Sequence, residues 1–66
     1  MDIICNGESK AVEEQTTLHA LIESYNLDPR TMVAEVNGQI IEHTGFSGQK
    51  LQEGDRIELI RFVGGG

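Results

Sequence analysis

One cysteine, one proline, no tryptophan and five basic residues are what this chain of 66 residues has little of. Each scarcity excludes something. With Cys5 alone, no internal disulfide can form. That fits a reducing compartment, so a cytoplasmic location is expected. The five Lys and Arg residues are unclustered and face eleven acids, giving a net charge of −6. Nucleic acid is therefore not expected as a ligand, because phosphate binding rests on clustered Lys and Arg. No apolar run approaches the ~20 residues of a membrane span. No charged start followed by an apolar stretch marks a signal peptide. Neither nucleic acid nor membrane is expected among the partners. An acidic surface serves solubility and also suits steering toward a basic protein partner.

Reactive groups are equally few. His19, His43 and Cys5 stand at no metal-ligand spacing, so no metal is expected. Cys5 follows Ile3 and Ile4 in a β-prone run and reads as a small buried hydrophobe. No base lies near it in sequence to activate a nucleophile. The pair Glu13-Glu14 reads as a solvated loop. A chain this short buries only about 60% of the surface its unfolded form exposes. That size favours a binding or carrier module over a self-sufficient enzyme, with no catalytic residue of its own and no bound cofactor.

What is present is a regular order of elements. Ile3 to Cys5 predicts a strand, Asn6-Gly7 a type I′ turn, and Lys10 to Val12 a return strand. Thr16 or Thr17 suits a helix N-cap. Leu18, Leu21, Ile22 and Tyr25 fall at i, i+3, i+4 and i+7, one apolar helical face. Asn26 suits a left-handed end, and Pro29 disfavours helix at Asp28. Met32 to Val36, Asn37-Gly38 and Gln39 to Glu42 predict a second hairpin. The stretch from His43 to Gln52 is irregular, with Phe46 and Leu51 as its core anchors. Arg56 to Val63 is the longest β-prone run. Hairpin, helix, hairpin and strand make an α+β two-layer fold, with one helix on one face of the sheet.

The final run, RFVGGG, carries the functional signal. Side chains alternate along a strand. If Ile57 and Leu59 face the helix, Ile60 and Phe62 lie on the open face. Exposed apolar residues beside a chain end suggest a docking surface. Glycine packs no side chain, so Gly64, Gly65 and Gly66 add nothing to a core. The α-carboxylate of Gly66 is ionised at neutral pH. Attack on the α-phosphorus of ATP would convert it to an acyl adenylate that a sulfur or nitrogen nucleophile can cleave. A tail of thin residues suits entry into another enzyme's narrow site. The four residues after Phe62 reach roughly 13 Å when extended at ~3.3 Å each.

The opening MDIICNGE, the middle LIESYNLDPRTMVAEVNGQII and the end LQEGDRIELIRFVGGG together resemble the sulfur carriers of thiamine (thiazole) biosynthesis, the ThiS type. These belong to the ubiquitin-like β-grasp superfamily. The resemblance covers the whole chain, and its middle and final parts are the more specific. It implies one β-grasp domain over 1–66, with 63–66 a flexible tail. The implied sheet is mixed, of four to five strands, with the last strand central beside the first. The carboxylate of Gly66 would be adenylated by an E1-like adenylyltransferase that uses ATP. Sulfur from a cysteine desulfurase or other donor would make it a thiocarboxylate, and thiazole synthase would take the sulfur. Gly64 and Gly65 would thread into partner active sites, and Ile60, Phe62 and Val63 would dock the activating enzyme. Many relatives carry tryptophan after the fourth strand, where this chain has Phe46. The small subunit of molybdopterin synthase shares the tail chemistry, and a ubiquitin-like modifier or a non-covalent β-grasp interaction module fits the same outline.

Overall fold

Two Asn-Gly turns and one short helix route the chain through a computed structural model, in which residues 1–61 are described. Strand β1, Asp2–Cys5, turns at Asn6-Gly7 and pairs antiparallel with β2, Glu8–Ala11. Asn6 and Gly7 take φ of 51° and 82°. Those values match a type I′ turn, whose twist matches that of the flanking strands. A two-residue turn leaves no gap before pairing resumes, so Cys5 sits opposite Glu8. The return strand therefore begins two residues before the Lys10 expected from composition.

Helix α1, Leu18–Ser24, starts at Thr17, whose Oγ1 accepts from the Ala20 N–H at 3.1 Å. Seven residues make a marginal helix by themselves. The loop after β4 stabilises its first turn. The Gln49 carbonyl accepts from the Leu18 N–H at 2.8 Å, and the Phe46 carbonyl from the His19 N–H at 3.2 Å. Two donors that a helix start leaves without partners are thereby satisfied. Asn26, at φ 60°, ends the helical path as its residue type suggests. A 3-10 turn, Pro29–Thr31, follows, and Asp28 Oδ1 accepts from the Arg30 N–H at its start.

Strand β3, Met32–Val36, turns at Asn37-Gly38 into β4, Gln39–Glu42. After the irregular stretch, which opens with a 3-10 turn at His43–Gly45, comes β5, Arg56–Arg61. The sheet has five strands in the order β2-β1-β5-β3-β4. The β1–β5 pair is parallel and the others are antiparallel, so the sheet is mixed and β5 is central. This is the α+β arrangement expected. The tail, residues 63–66, and the end of the expected last strand lie outside the described residues.

One sheet face is covered. Ile3 and Cys5 from β1, Met32, Ala34 and Val36 from β3, and Ile57 from β5 are buried with Leu18, Leu21 and Ile22 of α1. Phe46 and Leu51 are buried in the same cluster, as expected of the core anchors of the irregular stretch. Tyr25 departs from expectation. It follows the helix as its C-cap and stays 39% exposed, although its spacing puts it on the apolar stripe. The phenol is amphipathic: its hydroxyl lies near the Cys5 thiol, and Lys10 Nζ sits 4.7 Å from the ring centre. No helix among the described residues is long and apolar enough to cross a membrane.

Candidate functional site

Strand β5 divides its side chains as alternation requires. Ile57 is buried and Leu59 packs half-buried against the core, while Glu58 and Ile60 point to the uncovered face. Ile60 is 41% exposed. Phe46 is buried in the core with the helix residues and is not available to cover it. The remaining proposed docking residues, Phe62 and Val63, and the tail residues Gly64, Gly65 and Gly66 lie outside the described residues.

The neighbouring strands enlarge the exposed surface. Val33 of β3 lies opposite Ile60, with Glu42 on its other side. One step along, Glu35 lies opposite Glu58 on β5 and Ile40 on β4. Ile40 is 54% exposed. The open face thus carries an apolar strip bordered by three acids. Glu35 and Glu58 stand directly opposite each other, an arrangement that disfavours the isolated sheet. Among the described residues neither makes an ion pair. Like charges held beside exposed isoleucines suit a basic, partly apolar partner surface. The alternation of Val33 and Glu35 between Met32, Ala34 and Val36 signals this face in the sequence, but only the strand order places it beside Ile60.

Two asparagine side chains fix β5 from opposite sides. Asn37 Oδ1 accepts from the Arg56 N–H at 2.9 Å, and its Nδ2 donates to Asp55 Oδ1 at 3.0 Å. Asp55 is buried, and its Oδ2 accepts from the Gln52 N–H at 2.8 Å. Across the strand, Asn6 Oδ1 accepts from the Leu59 N–H at 2.9 Å, a link spanning 53 residues of sequence. The turn signals were legible in the sequence; these second uses of the same residues were not, because they depend on contacts far along the chain. Together they give the segment leading to the tail a rigid base.

The other reactive groups stay apart from this face. Burial pushes the Cys5 thiol above its ordinary range, which suits an inert core residue. Burial, with the neighbouring Cys5 thiol adding to it, pushes the Tyr25 phenol up to about 12. His19 pairs with Glu23 one helical turn on at 3.3 Å, and His43 is exposed. An Arg30–Asp28 pair at 3.1 Å holds the Asp28 carboxyl below its usual range through hydrogen bonds from Arg30. Among the described residues no cluster of His, Cys, Asp or Glu is placed to hold a metal ion. A depression lined by Met1, Gln15, Lys50 and Glu53 lies beside the start of β5, away from the end that leads to the tail.

Comparison with known proteins joins these features. The chain is 34% identical over 62 residues to the sulfur carrier protein ThiS of Bacillus subtilis, covering 92% of this chain and 94% of that protein. It is 29% identical over 66 residues to a thiazole synthase of Paramagnetospirillum magneticum, covering 100% of this chain. It spans only about a fifth of the length of the thiazole synthases it matches. A crystal structure of the thiamine biosynthesis protein ThiS from Geobacter metallireducens superposes with a TM-score of 0.83 at 26% identity, covering all of both chains. The ThiS family model matches residues 3–66, through the fold and the terminal glycines alike, and the chain belongs to the ThiS family.

Proposed function

We propose that this chain is a sulfur carrier of thiamine biosynthesis whose working group is the carboxylate of Gly66. The observation that carries the reading is the family match running through residue 66, in a chain whose last described strand, β5, is held by side-chain hydrogen bonds on both sides. A rigid strand fixes where the tail begins, and glycines without side chains give it reach. The chemistry follows from the group. A carboxylate oxygen attacks the α-phosphorus of ATP in an E1-like adenylyltransferase, and pyrophosphate leaves. A persulfide sulfur supplied by a cysteine desulfurase, or an equivalent from another donor, then displaces AMP to give an acyl disulfide, and attack of a second thiol on that S–S bond releases the thiocarboxylate and leaves a disulfide on the donor side. Thiazole synthase takes that sulfur. The chain is a protein cosubstrate here and catalyses no step, and ATP belongs to the activating enzyme. This use places the protein in the cytoplasm.

Gly64 and Gly65 thread into the partner sites in this reading, and Ile60, Phe62 and Val63 dock the activating enzyme. The exposure of Ile60 beside Val33, with Ile40 exposed two strands away on β4, supports such a surface. The test is reconstitution of thiazole formation from purified activating enzyme, desulfurase and thiazole synthase. The full chain supports turnover and a chain lacking Gly66 does not. Equal turnover with both would contradict the proposal.

A further inference from the structure

The chain holds the same dipeptide twice in the same conformation, and the copies differ at one atom. Asn6-Gly7 joins β1 to β2, and Asn37-Gly38 joins β3 to β4. The φ values are 51° and 82° in the first turn, 52° and 86° in the second. All four residues are exposed, and a Cβ on either glycine would meet nothing within 4 Å. Neither glycine N–H donates a hydrogen bond among the described residues. Each asparagine Oδ1 accepts from a backbone N–H of β5 at 2.9 Å, Leu59 for Asn6 and Arg56 for Asn37. The amide nitrogens are where the turns part. Asn37 Nδ2 donates to the buried Asp55 carboxylate at 3.0 Å, whereas Asn6 Nδ2 has no partner among the described residues.

An asparagine amide is an electrophile, and the next residue's N–H is the nucleophile closest to it. Glycine leaves that nitrogen uncrowded. Asn26 is followed by Leu27, whose side chain crowds it. Attack requires the asparagine side chain to swing round so that its Cγ meets the nitrogen. Asn6 gives up one hydrogen bond to do so, from a neutral backbone N–H. Asn37 gives up two, and one of them leaves a buried carboxylate with only the Gln52 N–H on its other oxygen. Hydrogen bonds to charged groups cost more to break than neutral ones, and buried groups left without partners cost more again. The reaction itself needs water alone. The glycine nitrogen loses its proton to solvent and bonds to Cγ. The Cγ–Nδ2 bond breaks, Nδ2 takes a proton from water, and ammonia leaves a cyclic imide. Water opens that ring at one carbonyl to give aspartate, or at the other to give isoaspartate.

We propose that Asn6 is a self-modification site, where the chain converts its own side-chain amide to aspartate or isoaspartate, and that Asp55 protects Asn37 from the same reaction. The modification acts on β5. Asn6 makes the last rung between β1 and β5, its N–H donating to the Ile57 carbonyl at 2.8 Å and its Oδ1 accepting from Leu59. Aspartate keeps an acceptor in the place of Oδ1. Isoaspartate carries the main chain through Cβ and Cγ, so the rung loses its side-chain half and the Leu59 N–H is released, next to the exposed Ile60. Gly66 takes no part, so this modification is independent of the carrier reading.

Each turn is a control for the other in the unsubstituted chain. Trypsin cleaves after Lys10, Arg30 and Lys50, which puts Asn6 and Asn37 in separate peptides. The folded chain is aged in mildly alkaline buffer and digested, and mass spectrometry reads amide replaced by carboxyl at each site. Asn6 is expected to convert at least about tenfold faster than Asn37, the factor that a charged hydrogen bond supplies. In urea the tethers are gone, and the two are expected to convert at similar rates. Equal rates in the folded chain, or faster conversion at Asn37, would overturn the proposal. So would conversion at neither site over a period in which the unfolded chain converts. A preference of the same size in urea would also overturn it, because sequence and not the Asp55 contact would then set the order. Isoaspartyl chain is then purified by chromatography for hydrogen exchange. Its Leu59 amide is expected to exchange at least about tenfold faster than in the unmodified chain. An unchanged rate there would overturn the effect on β5.

Discussion

The two faces of one sheet carry apolar side chains for different ends. On the covered face Met32, Ala34, Val36 and Ile57 pack against Leu18, Leu21 and Ile22 with no charged neighbour among them. On the open face Val33, Ile40 and Ile60 alternate with Glu35, Glu42 and Glu58. The first set has lost its water on folding, and its burial stabilises the domain by about 25 cal/mol per Å². The second set keeps water until something covers it. Adjacent residues of β5 thus belong to different problems: Ile57 to stability, Ile60 to recognition.

Substitutions test that division, beginning with the covered face. Phe46→Ala removes a ring buried entirely in the core from the loop that also caps α1. It is expected to cost about 3–5 kcal/mol, measured by urea unfolding. A smaller loss than Ile57→Ala would show that the loop is peripheral. Next, Ile57→Ala should cost about 2–5 kcal/mol, whereas Ile60→Ala should cost under about 1 kcal/mol. Partner affinity should reverse the order, with Ile60→Asp weakening complex formation while circular dichroism stays native. Comparable stability losses at the two positions would erase the distinction between the faces.

The third effect concerns what pins β5 between them. Asn37→Ala leaves the Arg56 N–H and the buried Asp55 carboxylate each short of a partner. A loss of about 1–3 kcal/mol is expected in urea unfolding, and a loss near zero would mean that water replaces the amide. The smallest effect lies at the margin of the covered face. Tyr25 should titrate near 12 by phenolate absorbance, against about 10 for a free phenol. Because the folded value is raised, its contribution is fully present below about pH 10. It is lost as pH rises from there through about 12. Cys5→Ala should lower the midpoint only in part, since burial is the larger cause. An ordinary phenol value would place Tyr25 in open water.

Local chemistry explains which parts of this arrangement were legible in the sequence. Both Asn-Gly turns, the Thr17 cap and the Asn26 end follow from residues acting on near neighbours, and Phe46 was legible as a large apolar residue in an otherwise polar stretch. The alternation of β5 gave the exposure of Ile60. Tyr25 escaped the pattern because α1 closes at Ser24, and because an amphipathic ring gains from lying under Lys10 with its hydroxyl in reach of water. The start of β2 at Glu8 was hidden by its polar sequence, which suits an edge strand. The rest of the open face required strand order: nothing in the run MVAEV states that Val33 will stand beside Ile60. The clamps from Asn6 and Asn37 likewise join residues 53 and 19 positions apart.

The most direct test of the central claim is the intact mass of the chain. It is incubated with ATP, activating enzyme, cysteine desulfurase and cysteine, beside a chain lacking Gly66. The carrier account predicts a mass gain equal to one oxygen replaced by sulfur, in the full chain alone. No gain with an enzyme set shown to be active, or the same gain without Gly66, would contradict it.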